Sequence, residues 1–427
     1  MNPAAPTVYR VPRMPWQRTG EPPAALLRIV MFAIAVIPLV KPRLPGNSGP
    51  ADFFMVTATI AVFVWIAAEG RAIFAPFAGA TAVLMTAGAI SGLVADRAGP
   101  TLLVMLQEAH LLLFTAAIAT VARTPRAIEE IRSAWVAAGV FWGALVVAAV
   151  ASGFAPLINA TTDRGTRAHL FFQNPNITGN YFLIAIFVAV ASRPKSWPRR
   201  SAAVAVMLAA MLLTGSNAAI LGLAAGAVVA VFVYAWRRID PIVAVVVLSA
   251  ILVAGAGSYV AMGESFRRAP ESENLLIRYS IGRLERSAAN RQDLFSEQMA
   301  LYRERGILGI GPFATRDELG RSGESGVRSS HNDYLATLVE RGPIGVAGLL
   351  LLAGAIGYRI ARGHAGVVKP EWRKAAGTGA AMTGVAVALA LSALTHEILH
   401  YRHLWALLGL IAAVHRWSHQ DAKGGAP

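Results

Sequence analysis

The chain is dominated by a succession of apolar runs, each about 17–25 residues long, the length that spans the hydrocarbon core of a bilayer as a helix. They fall near residues 24–40, 53–69, 73–95, 101–122, 134–157, 177–192, 201–216, 218–236, 241–262, 343–361, 375–397 and 402–417. Only 15% of the residues are charged and 55% are hydrophobic. Soluble domains carry about 25% charged residues, so one aqueous core could not hide this much apolar surface. The expectation is an all-α polytopic membrane protein with about 12 transmembrane helices.

The runs divide the chain into five parts. They are a tail at 1–23, helices 1–9 in 24–262, a large helical loop at 263–342, helices 10–12 in 343–417, and a tail at 418–427. The first 23 residues hold Arg10, Arg13 and Arg18 among prolines and have no short apolar segment with a cleavage site. They read as a cytoplasmic tail before a retained helix. With the N-terminus inside, the short cytoplasmic segments hold most of the short-loop Lys and Arg, which satisfies the positive-inside rule. Both termini then face the cytoplasm and the 263–342 loop faces outward. The formal charge of +15 is read as orienting the protein rather than binding nucleic acid. The absence of cysteine excludes disulfides, thiolate nucleophiles and cysteine-ligated metals.

The long loop carries side chains suited to chemistry. Residues 290–305 read as an amphipathic helix capped by Asn290, with Leu294, Phe295, Met299 and Tyr302 as its apolar stripe. Arg291 would then open the helix, where the dipole is already positive, an arrangement that suits an anion such as phosphate. A solvated surface arginine is the plainer reading. Gly306, Gly309 and Gly311 read as a tight packed turn, because no Lys–Ser/Thr follows them as in a phosphate loop. Ser330 is placed as the N-cap of a helix with Asp333 three residues on, and a bend is expected near Pro343. His331 in that first turn would be held neutral by the dipole and able to accept a proton. It would otherwise be a capping polar residue.

Elsewhere, Arg164 and Arg167 sit on a short outer segment, 159–176, against the charge bias, which suits either an anion or lipid headgroups. Asn176 is expected to cap the following helix. Gln107, Glu108 and His110 interrupt one apolar run, and His396, Glu397, His400, Arg402 and His403 crowd the end of the last pair. Mutual polar pairing, a metal site and a proton relay all remain open for this second cluster.

These motifs resemble those of the bacterial O-antigen ligase and polymerase superfamily. His331–Asn332 with Gly342–Pro343–Ile344–Gly345 downstream is similar to its His-Asn and Gly-x-x-Gly pair. Arg291 with Leu308–Gly309–Ile310–Gly311 is similar to its loop helix and glycine turn, and Arg164/Arg167 with Asn174–Pro175–Asn176 to its arginine-bearing segment before a helix. Two departures are Asn217 after Ser216, where an arginine is frequent, and Gly306, where proline is frequent.

The resemblance implies a GT-C-like, inverting glycosyltransferase that needs no metal and no cofactor. Its donor would be an undecaprenyl diphosphate-linked glycan and its acceptor a sugar hydroxyl of lipid A–core, in lipopolysaccharide synthesis. It implies His331 as catalytic base, with Arg291, Arg167, Arg164 and Asn332 contacting diphosphate or substrate. An O-antigen or exopolysaccharide polymerase and a protein O-oligosaccharyltransferase share the motif. A transporter of lipid-linked glycans is the reading outside enzymes.

Overall fold

The computed structural model describes residues 21–41, 48–95, 98–161, 165–192, 196–261, 284–305, 307–322, 330–365 and 369–422. The first helices are α1 (Ala24–Ala35), α2 (Pro50–Ala68), α3 (Ala78–Leu93), α4 (Ala98–Val121) and α5 (Pro125–Ser152). A two-stranded hairpin follows, β1 (Ile158–Thr161) and β2 (Gly165–Ala168). Then come α6 (Pro175–Ala191), α7 (Trp197–Leu213), α8 (Asn217–Arg238) and α9 (Pro241–Ala261). The remainder is α10 (Leu284–Arg305), α11 (Ala314–Ser322), α12 (Asp333–Ala365), α13 (Pro370–Ala376), α14 (Gly379–Ala393) and α15 (Arg402–Ala422).

Among the described residues, five helical stretches are long and apolar enough to cross a membrane: α2, Thr101–Val121 of α4, α5, α8 and Asp333–Gly363 of α12. Five further helical stretches, in α1, α3, α6, α9 and α14, are apolar but shorter. The chain is a helical, multi-pass membrane protein.

The helical architecture carries one short hairpin, in which β1 and β2 pair antiparallel with Asn159 opposite Arg167. The expected run at 375–397 also breaks in two. Gly377 adopts φ 72° between α13 and α14, and the Arg132 guanidinium donates to the Ala375 carbonyl there. Helix α14 stops at Ala393, so residues 394–401 cross over without helical structure. Such backbone is tolerated at membrane depth only where protein buries it, and Ile398 and Tyr401 are buried.

Helix α6 is the hub. It is apolar all round and almost every side chain from Thr178 to Ala191 is buried, as expected of a helix enclosed by others. Around it, α8 and α14 cross closely. Gly222 and Gly226, one turn apart on α8, let the backbones meet at Ala388 and Gly384 of α14. Small residues at this spacing are how membrane helices approach when both partners are already apolar.

Candidate active site

His331 stands immediately before α12 and is half-buried, with φ 53°. A non-glycine residue in the left-handed region is held there by its surroundings. On one side, the Ser330 hydroxyl donates to Gln298 Oε1, and Gln298 Nε2 donates to the Ser330 carbonyl at 3.2 Å. Gln298 comes from α10 and is 1% exposed. On the other side, Asn332 Oδ1 accepts the Leu335 N–H at 3.0 Å, and the buried Asp333 carboxylate accepts Ile398 N–H at 2.7 Å and Leu399 N–H at 3.2 Å. The His331 ring meets the His396 ring edge-on, with centroids 5.8 Å apart.

This corrects the expected cap. Asn332, not Ser330, caps α12, and His331 precedes the helix rather than occupying its first turn. Ser330 is drawn away because Gln298 offers it both a donor and an acceptor. Asn332 therefore uses its side-chain oxygen on the helix end. Gln298 escaped the sequence reading, although it lies at four-residue spacing between Leu294 and Tyr302 of the apolar stripe. A polar residue in that register is the signal that marks it.

Below His331 the two glycine motifs interlock. Gly342 has φ 62° and breaks α12 where the bend at Pro343 is expected. The carbonyls of Val339 and Glu340 accept the N–H groups of Ile310 (3.1 Å) and Gly311 (3.0 Å). A side chain on Gly342 would strike the Ile307 carbonyl, and one on Gly309 (φ 82°) would strike Glu340. The 307–313 segment is thus a packed turn, as Gly309 and Gly311 suggest, and Gly306 lies outside the described residues. Glu340 Oε1 also accepts Thr315 N–H at 3.4 Å. Arg341 pairs with Glu108 of α4 in a buried ion pair and donates to the Leu84 carbonyl at 3.2 Å.

The hairpin reaches the same half of the molecule. Arg167 on β2 donates Nε to the Thr214 carbonyl (2.8 Å), and Nη2 to Gly215 O (3.1 Å) and Asn176 Oδ1 (3.3 Å). It ties the hairpin to the α7–α8 turn and to the start of α6. Asn174, not Asn176, caps α6, because its Oδ1 accepts Asn176 N–H at 2.9 Å and Asn176 faces Arg167 instead. One turn further, Asn180 Oδ1 lies 3.0 Å from His403 Nε2.

The 394–403 cluster disperses into separate pairings. Arg402 forms a two-point ion pair with Asp52 of α2, both contacts at 2.6 Å. His400 meets the Phe313 ring, and His403 sits among Phe172, Tyr181 and Tyr401. Among the described residues no three His, Asp or Glu side chains converge as metal ligands.

Arg291 is the eighth residue of α10, since that helix starts at Leu284 and Asn290 does not cap it. The dipole, which acts within the first turn, does not reinforce its charge. Its side chain lies outside the described residues, as does Arg164. The structure brings His331 and Asn332 together with α10 and the 394–401 crossover, and joins Arg167 to α6 and the α7–α8 turn.

A cavity of about 650 Å³ runs from Asp333 and Tyr334 between the facing sides of α12, α14 and α15. Leu349, Leu352, Ile356 and Ile360 of α12 line it, and Phe232 and Trp236 of α8 close its far end. Its walls are almost wholly apolar.

Residues 202–350 match a family model described as O-antigen ligase. That stretch is about a third of the chain and runs from α7 to the middle of α12. It holds Arg291, the glycine turn, His331 and Gly342–Gly345. No curated protein matches the chain. The family covers glycosyltransferase-like ligases and polymerases acting on lipid-linked glycans and an acceptor. By its helices, its two interlocked motifs and that match over residues 202–350, the chain is similar to the O-antigen ligase superfamily, whose members are glycosyltransferase-like enzymes.

Proposed function

We propose that this enzyme is an O-antigen ligase. It transfers a glycan from undecaprenyl diphosphate to a sugar hydroxyl of lipid A–core, with inversion and without a metal. The observation that carries this reading is the clamped His331, two residues before Asp333, which with Tyr334 lines an apolar cavity that a lipid tail could fill. In this reading about twelve helices span the bacterial inner membrane, both termini are cytoplasmic, and the 263–342 loop roofs a periplasmic site.

The acceptor oxygen attacks the anomeric carbon while His331 takes its proton. The bond from that carbon to the diphosphate oxygen breaks, and the undecaprenyl diphosphate leaves with the electron pair. Arg291 and Arg164 neutralise the charge growing on the leaving group, for which the planar guanidinium fork is suited. Arg167 holds the hairpin that carries Arg164 and brings a guanidinium to the turn where this chain has Asn217. Asn332 keeps its amide nitrogen for substrate while its oxygen caps α12.

The test is transfer in detergent from purified undecaprenyl diphosphate glycan to lipid A–core. We expect glycosylated lipid A–core with inverted anomeric configuration, and no transfer by His331→Ala at unchanged expression and elution volume. Retained configuration would overturn the single displacement, and turnover by His331→Ala would remove His331 as base. Donor units joined to one another identify a polymerase. A glycosylated protein identifies an oligosaccharyltransferase. Lipid movement across vesicles without transfer identifies a transporter.

A further inference from the structure

At the end of the bundle away from His331, α12 and α15 finish side by side and bring Arg359, Arg362, His415, Arg416 and His419 together. Arg359 Nη1 donates to His415 Nδ1 at 3.1 Å, and the His415 and His419 rings lie 5.1 Å apart. Arg359, Arg362 and His419 all lie near enough to His415 to act on it electrostatically, and Arg416 lies near enough to act on Arg359. Like charges gathered in this way repel, and this group has no internal counter-ion. Among the described residues no carboxylate forms an ion pair with Arg359, Arg362 or Arg416.

Aromatic rings hold the cluster in place. The Arg416 guanidinium carbon lies 4.1 Å from the centre of Phe74 and 5.0 Å from that of Trp417. That of Arg359 lies 4.9 Å from Phe77 and 5.7 Å from the same Phe74. Stacking covers the flat faces of the guanidinium groups and leaves their N–H edges to other partners. Arg416 Nε is buried and has no partner among the described residues. Buried donors of this kind are ordinarily satisfied, so the cluster lacks an acceptor that is both anionic and able to take several edge-on N–H bonds.

Phosphate has that chemistry. We propose that Arg359, Arg362, Arg416 and His415 form a phosphate-binding site on the membrane face opposite His331, taking the headgroup phosphate of an anionic lipid. The site stands between transmembrane helices, where basic pockets meet headgroups, and its aromatic rings suit the interface. It is independent of the glycan-transfer reading.

Native mass spectrometry of the full-length protein, titrated with phosphatidylglycerol against phosphatidylcholine, reads the site directly. We expect selective retention of phosphatidylglycerol, weakened about tenfold by Arg362→Gln and by Arg416→Gln through the loss of a charge-assisted contact. Arg126→Gln removes the same charge from the exposed start of α5 and is expected to change nothing. A parallel arm adds inorganic phosphate to protein in phosphatidylcholine nanodiscs and measures thermal unfolding. Stabilisation there that Arg362→Gln removes supports the site and identifies a soluble anion as its ligand. Equal loss of lipid retention by Arg126→Gln would overturn the proposal as bulk attraction. So would no selectivity for either phosphate source.

Discussion

His331 adopts a backbone conformation that costs a non-glycine residue on the order of 1–3 kcal/mol, and bonds on both of its neighbours sustain it. Gln298 holds Ser330, while Asn332 and Asp333 hold the residues after it. Gln298→Ala is therefore expected to lower kcat about tenfold with KM little changed, because a clamp on the proposed base acts on the reacting geometry. Gln298→Glu retains the acceptor for the Ser330 hydroxyl and should recover part of the rate. Equal kcat in Gln298→Ala and the parent would show that the clamp does not position His331. The histidine itself was legible in the sequence from its neighbours and the glycines downstream. The choice of cap was not, because Ser330 and Asn332 are both good caps and a residue more than thirty positions earlier decides between them. Arg167 shows the same limit. Its charge on an outer segment was conspicuous, but its carbonyl partners belong to a turn about fifty residues away.

The elements were legible in the sequence where apolar length defines them. Runs from 24–40 to 402–417 all contain helix, and the departures lie at their ends. Helix α10 starts before Asn290 because Leu284–Ala289 are compatible with helix and asparagine inside one costs less than about 0.7 kcal/mol against alanine. Nothing there stops the helix, so the role proposed for Arg291 goes without the help of a helix end. The break at Gly377 needed knowledge of Arg132, a distant residue that takes the freed carbonyl. Helix crossings test packing most directly. Gly226→Leu forces α8 away from α14, where a Cβ would already crowd the Gly384 carbonyl and Phe187. We expect it to destabilise the protein by about 1–3 kcal/mol, read as a lower Tm in detergent. Gly255→Leu on α9, with open space around the glycine, should leave Tm unchanged. Equal Tm values for the two variants would dismiss the close crossing.

The whole molecule is held together by polar ties between distant segments that the sequence displays only as interruptions of apolar runs. Arg402 finds Asp52, Arg341 finds Glu108 and His403 finds Asn180, each across much of the chain. The sequence could flag these residues as out of place in lipid, but their partners depend on how the helices assemble. Orientation belongs to this scale too. The chain has no cysteine, so single cysteines report without background. In spheroplasts, Asp317→Cys on the exposed side of α11 should react with an impermeant maleimide. Glu371→Cys on α13 should react only after permeabilisation. The reverse pattern would invert the topology.

The interlock of the 307–313 turn with the break at Gly342 also bears on how such proteins diversify. The two segments are some thirty residues apart, yet each fits a backbone shape that the other creates. A graft that exchanges one without the other meets a carbonyl where the partner has no room. They form a single heritable unit, and recombination between them is tolerated only when both come from the same parent.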